Sequence, residues 1–531
     1  MRILTASDHA LLVEAADLDE AMRLNLAWEG TPGVVERIPG ARTVLVRFDP
    51  LAVSAADLAD ALAATEIDTA QLPATGEVTV PVRYDGQDLD EAASLLGVSA
   101  DELVNRHLAA DWRVAFSGFA PGFGYVVSSD PLFDVPRRSS PRTRVPAGSV
   151  ALAGQFTGVY PRESPGGWQL IGRTDALMWD IDRDPPALLS PGTTVRFEQV
   201  RARARARMAE NADDHAAAQP VAESHADAGE PDPDAPLSAA IEVVRSSMQL
   251  LVQDAGRPGF AALGVSVSGV ADRRAMRDAN RAVGNATGVA VLESVGGAVL
   301  RFRGAGVAVV AGAVGSLDLV DADGVVCRIE HGAPFATAEG DELTLGHPSR
   351  GLRYVIAIRG GLVGESALDS RASDTLAGLG PAPLAAGDVL RVGGSAPHSV
   401  EPGAPVRTLP AAGDLVDLEI TLGPRDDWFT ATAIATLADQ EWTVTPRSDR
   451  VGIRLEGAAP LERSVSGELP SEGAVTGAIQ VPPDGQPVLF LPDHPLTGGY
   501  PIIGALTDRS LDLAGQLPPG ARIRFIIKET S

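Results

Sequence analysis

The stretch F-S-G-F-A-P-G-F-G-Y, Phe116–Tyr125, followed by P-R-T-R-V-P-A-G-S-V-A-L-A-G-Q-F-T-G-V-Y-P-R-E-S-P-G-G-W-Q-L-I-G-R-T, Pro141–Thr174, decides how this chain folds. Glycine and proline recur every few residues, which breaks any long helix and calls for short strands joined by tight turns. Between the turns stand side chains suited to small polar ligands: Arg142, Arg144, Gln155, Thr157, Tyr160 and Arg173. A weaker echo lies far downstream, in Glu472-Gly-Ala-Val-Thr-Gly-Ala-Ile-Gln480 and Thr497-Gly-Gly-Tyr-Pro501. A-G-S-V…G-Q…T-G-x-Y-P faces E-G-A-V…I-Q…T-G-G-Y-P, so one kind of β-rich unit is expected more than once.

Outward from that stretch, residues 1–75 read as a small α+β domain. Ala10–Glu14 and Arg42–Phe48 alternate as strands, and Asp17–Trp28 and Ala55–Ala64 have helical spacing, the second behind Ser54 as cap. Residues 76–200 open with a strand at Val78–Tyr84 and helices near Asp88–Leu96 and Ser99–Leu108, then turn to short strands. Residues 201–238 begin R-A-R-A-R-A-R and continue in Ala, Asp, Glu and Pro with almost no branched aliphatics, the composition of a flexible linker. After it, residues 239–412 and 413–531 read as two β-rich lobes, with helices near Asp272–Val283 and Asp427–Leu437. On the first of these helices Met276, Ala279 and Val283 form the core stripe, and Arg273, Arg277 and Asn280 share another face. Periodicity alone gives a mainly β chain of barrel-type units.

Composition removes several function classes. With 531 residues the chain exceeds one core. No apolar run reaches membrane-spanning length, the first residues lack a signal-peptide pattern, and Cys327 is the single cysteine, so a cytoplasmic protein without disulfides or cysteine zinc sites is expected. The net charge of −26 argues against nucleic acid and anionic membrane as partners. Lys528 is the only lysine. That excludes a Walker-type phosphate loop and any plausible biotin- or pyridoxal-bearing lysine. ATP, if bound, must be held by arginines, backbone N–H groups and a metal.

The run Phe116–Thr174 resembles the family of the 5-oxoprolinase B subunit, also called KipI or allophanate hydrolase subunit 1. Residues 248–294 (M-Q-L-L-V-Q-D-A-G-R-P-G-F…G-V-S-V-S-G-V-A-D…L-E-S) and I-Q-V-P-P-D-G-Q-P-V…T-G-G-Y-P resemble its companion, the 5-oxoprolinase C subunit, or KipA. The resemblance implies a fusion of the two subunits, with cyclophilin-like β-barrels after residue 75 and in both lobes beyond the linker. It implies the B and C components of an ATP-dependent 5-oxoprolinase, which opens a lactam to L-glutamate using ATP and Mg²⁺, beside a separate A subunit of LamB/YcsF type. Two other readings stand beside it: a carboxyltransferase-like component acting on urea or a related amide, and a non-enzymatic regulator of a histidine kinase. The sequence leaves open whether the chain forms a homo-oligomer, and it names no metal ligand.

On that resemblance, Asp254, Glu293, Glu472 and Asp493 are the candidate catalytic acids. Arg142, Arg144, Arg173, Arg257 and Arg371 are candidates for a phosphate clamp, and Gln155, Gln480, Tyr160 and Tyr500 for holding the lactam, with Thr497, Gly498 and Gly499 around the second pocket. Each has a structural alternative. The first-half arginines can pair with surface acids, Asp254 can fix a turn, and T-G-x-Y-P can be a barrel corner. Asn280 and Asn285 can cap a helix end, Asp449 and Arg450 can pair with each other, and His107 reads as a helix-end cation or a hydrogen-bonded support. His494 carries little weight as a candidate. No G-x-S-x-G elbow or H-E-x-x-H site is present.

Overall fold

The structure, a computed structural model, describes residues 1–67, 75–138, 140, 142–200, 239–394, 396–467 and 469–528; the expected linker at 201–238 lies outside them. By its contacts the chain divides into two units. One holds residues 72–117 and 121–237, the other residues 1–71, 118–120 and 238–531.

Among the described residues the first unit holds a seven-stranded sheet, a two-stranded one that pairs Arg142–Val145 with Ser164–Gly166, and two helices. Strand Thr193–Gln199 runs parallel to Gly76–Val82 and antiparallel to Trp112–Ser117, and the sheet continues through Gly124–Val127, Phe156–Val159, Ser149–Ala153 and Gln169–Arg173. Alternate residues, among them Val80, Val82, Trp112, Val114, Val150 and Leu152, enter one core. Each such side chain contributes roughly 1.5–3 kcal/mol by leaving water. Helix Ala100–Ala109 starts where Ser99 accepts from the N–H of Glu102. His107, at its end, is fully buried, with Tyr84 Oη at 2.8 Å and Thr157 Oγ1 at 3.0 Å. Burial pushes its imidazole down to about 3, so His107 is a neutral hydrogen-bonded support and not a helix-end cation.

In the second unit, strands Arg2–Ser7, Ala10–Glu14, Thr43–Phe48 and Val34–Pro39 form one sheet, with helix Leu18–Ala27 beside the last two. The N-terminal segment therefore packs with the chain after residue 238. Leu12, Ile38 and Leu45 share a core with Ala474, Val475, Phe490 and Ile502. Residues 239–394 build a seven-stranded and a five-stranded sheet, and residues 415–527 a closed seven-stranded barrel. The fold is mainly β, as the sequence implies.

Three local expectations are corrected. The expected helix at Asp427–Leu437 is a short 3-10 turn at Asp426–Trp428, then an α-helix at Ala431–Asp439, because Thr430 caps the helix by accepting from the N–H of Ala433. Asn280 does not share the exposed arginine face. It is fully buried, its amide donating to the carbonyls of Thr287 and Val289. Asp449 does not pair with Arg450; it accepts from the N–H groups of Val451 and Gly452 and shapes a turn.

Candidate functional site

Strand Gln249–Gln253 delivers the D-A-G-R turn. Asp254 accepts from Gly256 N–H at 2.8 Å, Ser370 Oγ at 2.7 Å and Arg371 N–H at 2.6 Å. Arg257, buried beneath it, donates to the carbonyls of Ala367 and Ala372, 3.9 Å from the carboxylate of Asp374. These groups fasten the 367–374 loop to the turn, and Arg371 takes part through its backbone. Gly256 stands at φ +86°, where an added Cβ would lie 2.4 Å from the carbonyl of Val267, so only glycine fits.

Arg450 organises the next layer. Its Nε and Nη2 each lie 3.0 Å from an oxygen of Asp493, its Nη1 bonds Glu293, and Nη2 donates to the carbonyl of Gly269 at 2.5 Å. Asp493 also accepts from Ser268 Oγ at 2.7 Å and from Thr375 N–H and Oγ1 at 2.9 and 2.7 Å. Glu293 accepts from Ala271 N–H at 2.8 Å and has Arg353 at 3.6 Å. Burial alone raises a carboxyl, yet Arg450 holds Asp493 below the usual range. Neighbouring Asp374 is pushed up to about 6 by burial and by the charge of Asp493.

Glu472 is bound by Arg425 through Nε at 2.9 Å and Nη2 at 2.6 Å, and burial pushes it up to about 7 against that pairing. Arg425 also reaches Glu14. Glu472–Gly473 pairs with Thr497–Gly498 as a two-stranded bridge. Gly498 packs on the amide of Gln480, whose Nε2 reaches the carbonyl of Tyr500 at 3.4 Å. The ring of Tyr500 lies under the guanidinium of Arg463, its centroid 5.9 Å from the guanidinium carbon, and Gly499 is half-buried.

In the first unit the candidate arginines do not converge. Arg142 binds Asp88 at 2.6 Å, Arg144 binds Glu163 at 2.6 Å and Arg173 binds Asp85 at 2.6 Å. Gln155 is an exposed turn residue and Tyr160 is buried. Gly166 lies against that ring, where an added Cβ would be 2.2 Å from Tyr160 Oη. Gly148, at φ +75°, would place one 2.2 Å from the carbonyl of Thr174. The chain's own close approach accounts for both glycines.

What the second unit does bring together is a cavity of about 280 Å³. Its walls are parts of the segments A-G-R-P, S-V-S-G-V-A and A-V-T of the motifs quoted above, the segment L-P-D-H-P-L at residues 491–496, and the N-terminal sheet. His9, Glu36, Arg47, Ser266, Ser268 and His494 are its polar edge, with Arg273 and Thr476 beside them. Glu36 accepts from the N–H groups of Gly259 and Ala261 at 3.1 and 3.3 Å and from Arg47 Nη1 at 2.7 Å. Ser266 donates to Asp374 at 3.2 Å. His494 stacks on Phe490, ring centroids 5.4 Å apart, and its Nδ1 lies 2.9 Å from the carbonyl of Pro495. Burial pushes His494 down to about 4, and the charge of Arg47 acts in the same direction.

The candidate acids thus stand behind this cavity and not in it. Asp254, Glu293 and Asp493 spend their oxygens on arginines, hydroxyls and N–H groups, and Glu472 is closed in by Arg425. They do not fit a Mg²⁺ site, and among the described residues no three His, Cys, Asp or Glu side chains are grouped to hold a metal. Sequence reasoning missed Arg47, Glu36, Ser266 and Ser268. The two serines lie in a motif read only for its resemblance, and Arg47 was one polar position in an alternating strand.

Most of the chain is similar to known proteins. Residues 1–189 match the family model "Carboxyltransferase domain, subdomain C and D", and residues 263–527 match "Carboxyltransferase domain, subdomain A and B". The chain is 42% identical over 170 residues to the 5-oxoprolinase B subunit of Escherichia coli O157:H7, covering 31% of this chain and 78% of that protein. It is 30% identical over 303 residues to the 5-oxoprolinase C subunit of Escherichia coli strain K12, covering 54% of this chain and 90% of that one. This chain belongs to the carboxyltransferase-domain family of the 5-oxoprolinase B and C subunits. It is a fusion of a B-like and a C-like part. The crystal structure of TTHA0988 superposes with a TM-score of 0.79 at 31% identity, covering 97% of this chain and 99% of that one. The urea amidolyase of Lachancea kluyveri is 30% identical over 315 residues, which are 54% of this chain and 17% of that much longer protein. In this B–C fusion most of the cavity lining falls within the match to subdomains A and B and the start of the match to C and D, with Ala255 and Pro258 just before the former.

Proposed function

We propose that this chain supplies the B and C components of an ATP-dependent 5-oxoprolinase and works with a separate A subunit of LamB/YcsF type. The observation that carries the reading is the presence, in one chain, of sequences similar to most of the B subunit and most of the C subunit. Two waters are consumed: one adds across the lactam, whose ring C–N bond breaks so that the nitrogen leaves as the amine of L-glutamate, and the other is taken up as ATP becomes ADP and phosphate. Amide resonance makes the carbonyl a poor electrophile, which is why the reaction draws on ATP. Mg²⁺ enters this reading on the phosphates of ATP, and no residue is assigned to it. With one lysine at position 528, the chain offers no lysine for a phosphate loop.

The test is product identification: labelled 5-oxoproline, ATP and Mg²⁺ are given to the chain with and without the A-type partner. Labelled glutamate from the mixture supports the reading; none from any combination removes it. A second reading, a carboxyltransferase component acting on urea or a related amide, is favoured by the likeness to urea amidolyase. It would require a biotin carrier and the component that carboxylates it, and urea-dependent ATP use once these are added to the assay would select it.

A further inference from the structure

The hydrogen-bonding inventory of the cavity is lopsided. Arg47 spends Nη1 on Glu36, and its Nε and Nη2 make no hydrogen bond among the described residues; its side chain is 24% exposed. The carboxylate of Glu36 is shared with two backbone N–H groups, so it does not wholly cancel the guanidinium. Ser266 and Ser268 give their hydroxyl protons to Asp374 and Asp493, which leaves only lone pairs for a ligand. Ser268 is held at φ +54°, a conformation costly for a non-glycine residue that the surrounding bonds enforce. The carbonyl of Pro495 can only accept, so the proton of His494 sits on Nδ1 and Nε2 carries a lone pair. The burial that keeps this ring neutral agrees with that tautomer.

We propose that the cavity bounded by Arg47, Ser266, Ser268 and His494 binds a small molecule bearing both an anionic group and an N–H donor, with Arg47 holding the anion and His494 Nε2 and the serine oxygens accepting from N–H. A cation with two unused donors calls for a carboxylate or similar anion. Three acceptors with no donor of their own call for N–H groups, because buried lone pairs facing another acceptor are penalised. The cavity of about 280 Å³ has room for a small molecule and not merely for one or two waters. None of the four residues is among the candidate acids or clamp arginines. The inference deepens the lactam-opening reading and rests on it for the choice of probe.

The test is calorimetric titration of the unaltered chain, alone and with the A-type partner, without ATP. The probes are 5-oxoproline, 2-pyrrolidinone, which lacks the carboxylate, and N-methyl-5-oxoproline, which lacks the N–H. Each analogue is expected to bind about tenfold or more weakly than 5-oxoproline. Arg47→Gln should weaken 5-oxoproline by about tenfold or more and leave 2-pyrrolidinone unchanged. His494→Gln, whose carbonyl can replace the Nε2 lone pair, should retain binding that His494→Phe loses. Equal binding of the three compounds, no binding of any, or Arg47→Gln without effect would overturn the proposal, and the first two outcomes need no variant to fold. If the expected pattern appears but 5-oxoproline drives no glutamate formation, the site stands and the lactam-opening reading falls. If glutamate forms while Arg47→Gln leaves KM unchanged, the site falls and the lactam-opening reading stands.

Discussion

Arg173 and Arg450 both lie in short polar motifs, and the fold uses them in opposite ways. The side chain of Arg173 is 61% exposed and touches one carboxylate, that of Asp85. The side chain of Arg450 has no exposure and binds Asp493, Glu293 and the carbonyl of Gly269. The first is a surface pair of small energetic weight. The second is a buried network whose charges depend on one another, so removing one partner strands the rest. The contrast teaches that the charged motif residues of this chain divide into surface pairs and internal framework. The groups left for a ligand are other residues, which the framework holds in place.

The largest expected effect that sharpens this contrast is Arg450→Met. It leaves Asp493 and Glu293 buried without their cation and should destabilise the chain by about 3–5 kcal/mol in urea unfolding. A loss below about 1 kcal/mol would show that the network does not hold the fold. Asp254→Asn comes next, since an amide NH₂ then faces one of the donors that Asp254 now satisfies. A loss of about 1–3 kcal/mol is expected, with the 367–374 loop gaining protease sensitivity.

A pH series run on the unaltered chain and on His107→Gln isolates one buried group of the first unit. His107 is held near 3 in the fold against 6.5 when unfolded, so the unfolded chain binds the extra proton and stability falls as pH drops from 6.5 towards 3. His107→Gln should flatten that part of the stability–pH curve, and an unaltered slope would contradict the neutral support role. Glu472 acts with the opposite sign in the second unit. Its folded value near 7 lies above the unfolded 4.5, so its contribution is lost as pH rises through that window. The smallest effect belongs to Arg173→Ala, which should leave the urea midpoint unchanged; a clear shift would blur the division between surface pairs and framework.

Much of the fold was legible because its signals are local. Ser54, Ser99 and Asp272 cap the helices expected behind them, and Ala10–Glu14 is a strand to the residue. The helix after residue 426 was misplaced because Thr430, a better cap, starts it later. The site was less legible because its geometry is set by distant pairings. Arg47 is oriented by Glu36, whose other oxygen is fixed by Gly259, 223 residues away in sequence. Ser268 is turned by Asp493, 225 residues away. No local spacing encodes such contacts. The candidate acids were found as polar motif residues, but burial, which separates framework from ligand site, is not written in a motif.

The most direct measurement of the functional claim is the ratio of ADP to glutamate when the chain, the A-type partner, ATP, Mg²⁺ and 5-oxoproline are combined, with each component omitted in turn. The account predicts equal amounts of ADP and glutamate in the full mixture and neither above background in any omission. ADP released without 5-oxoproline, or glutamate formed by the chain without its partner, would contradict it.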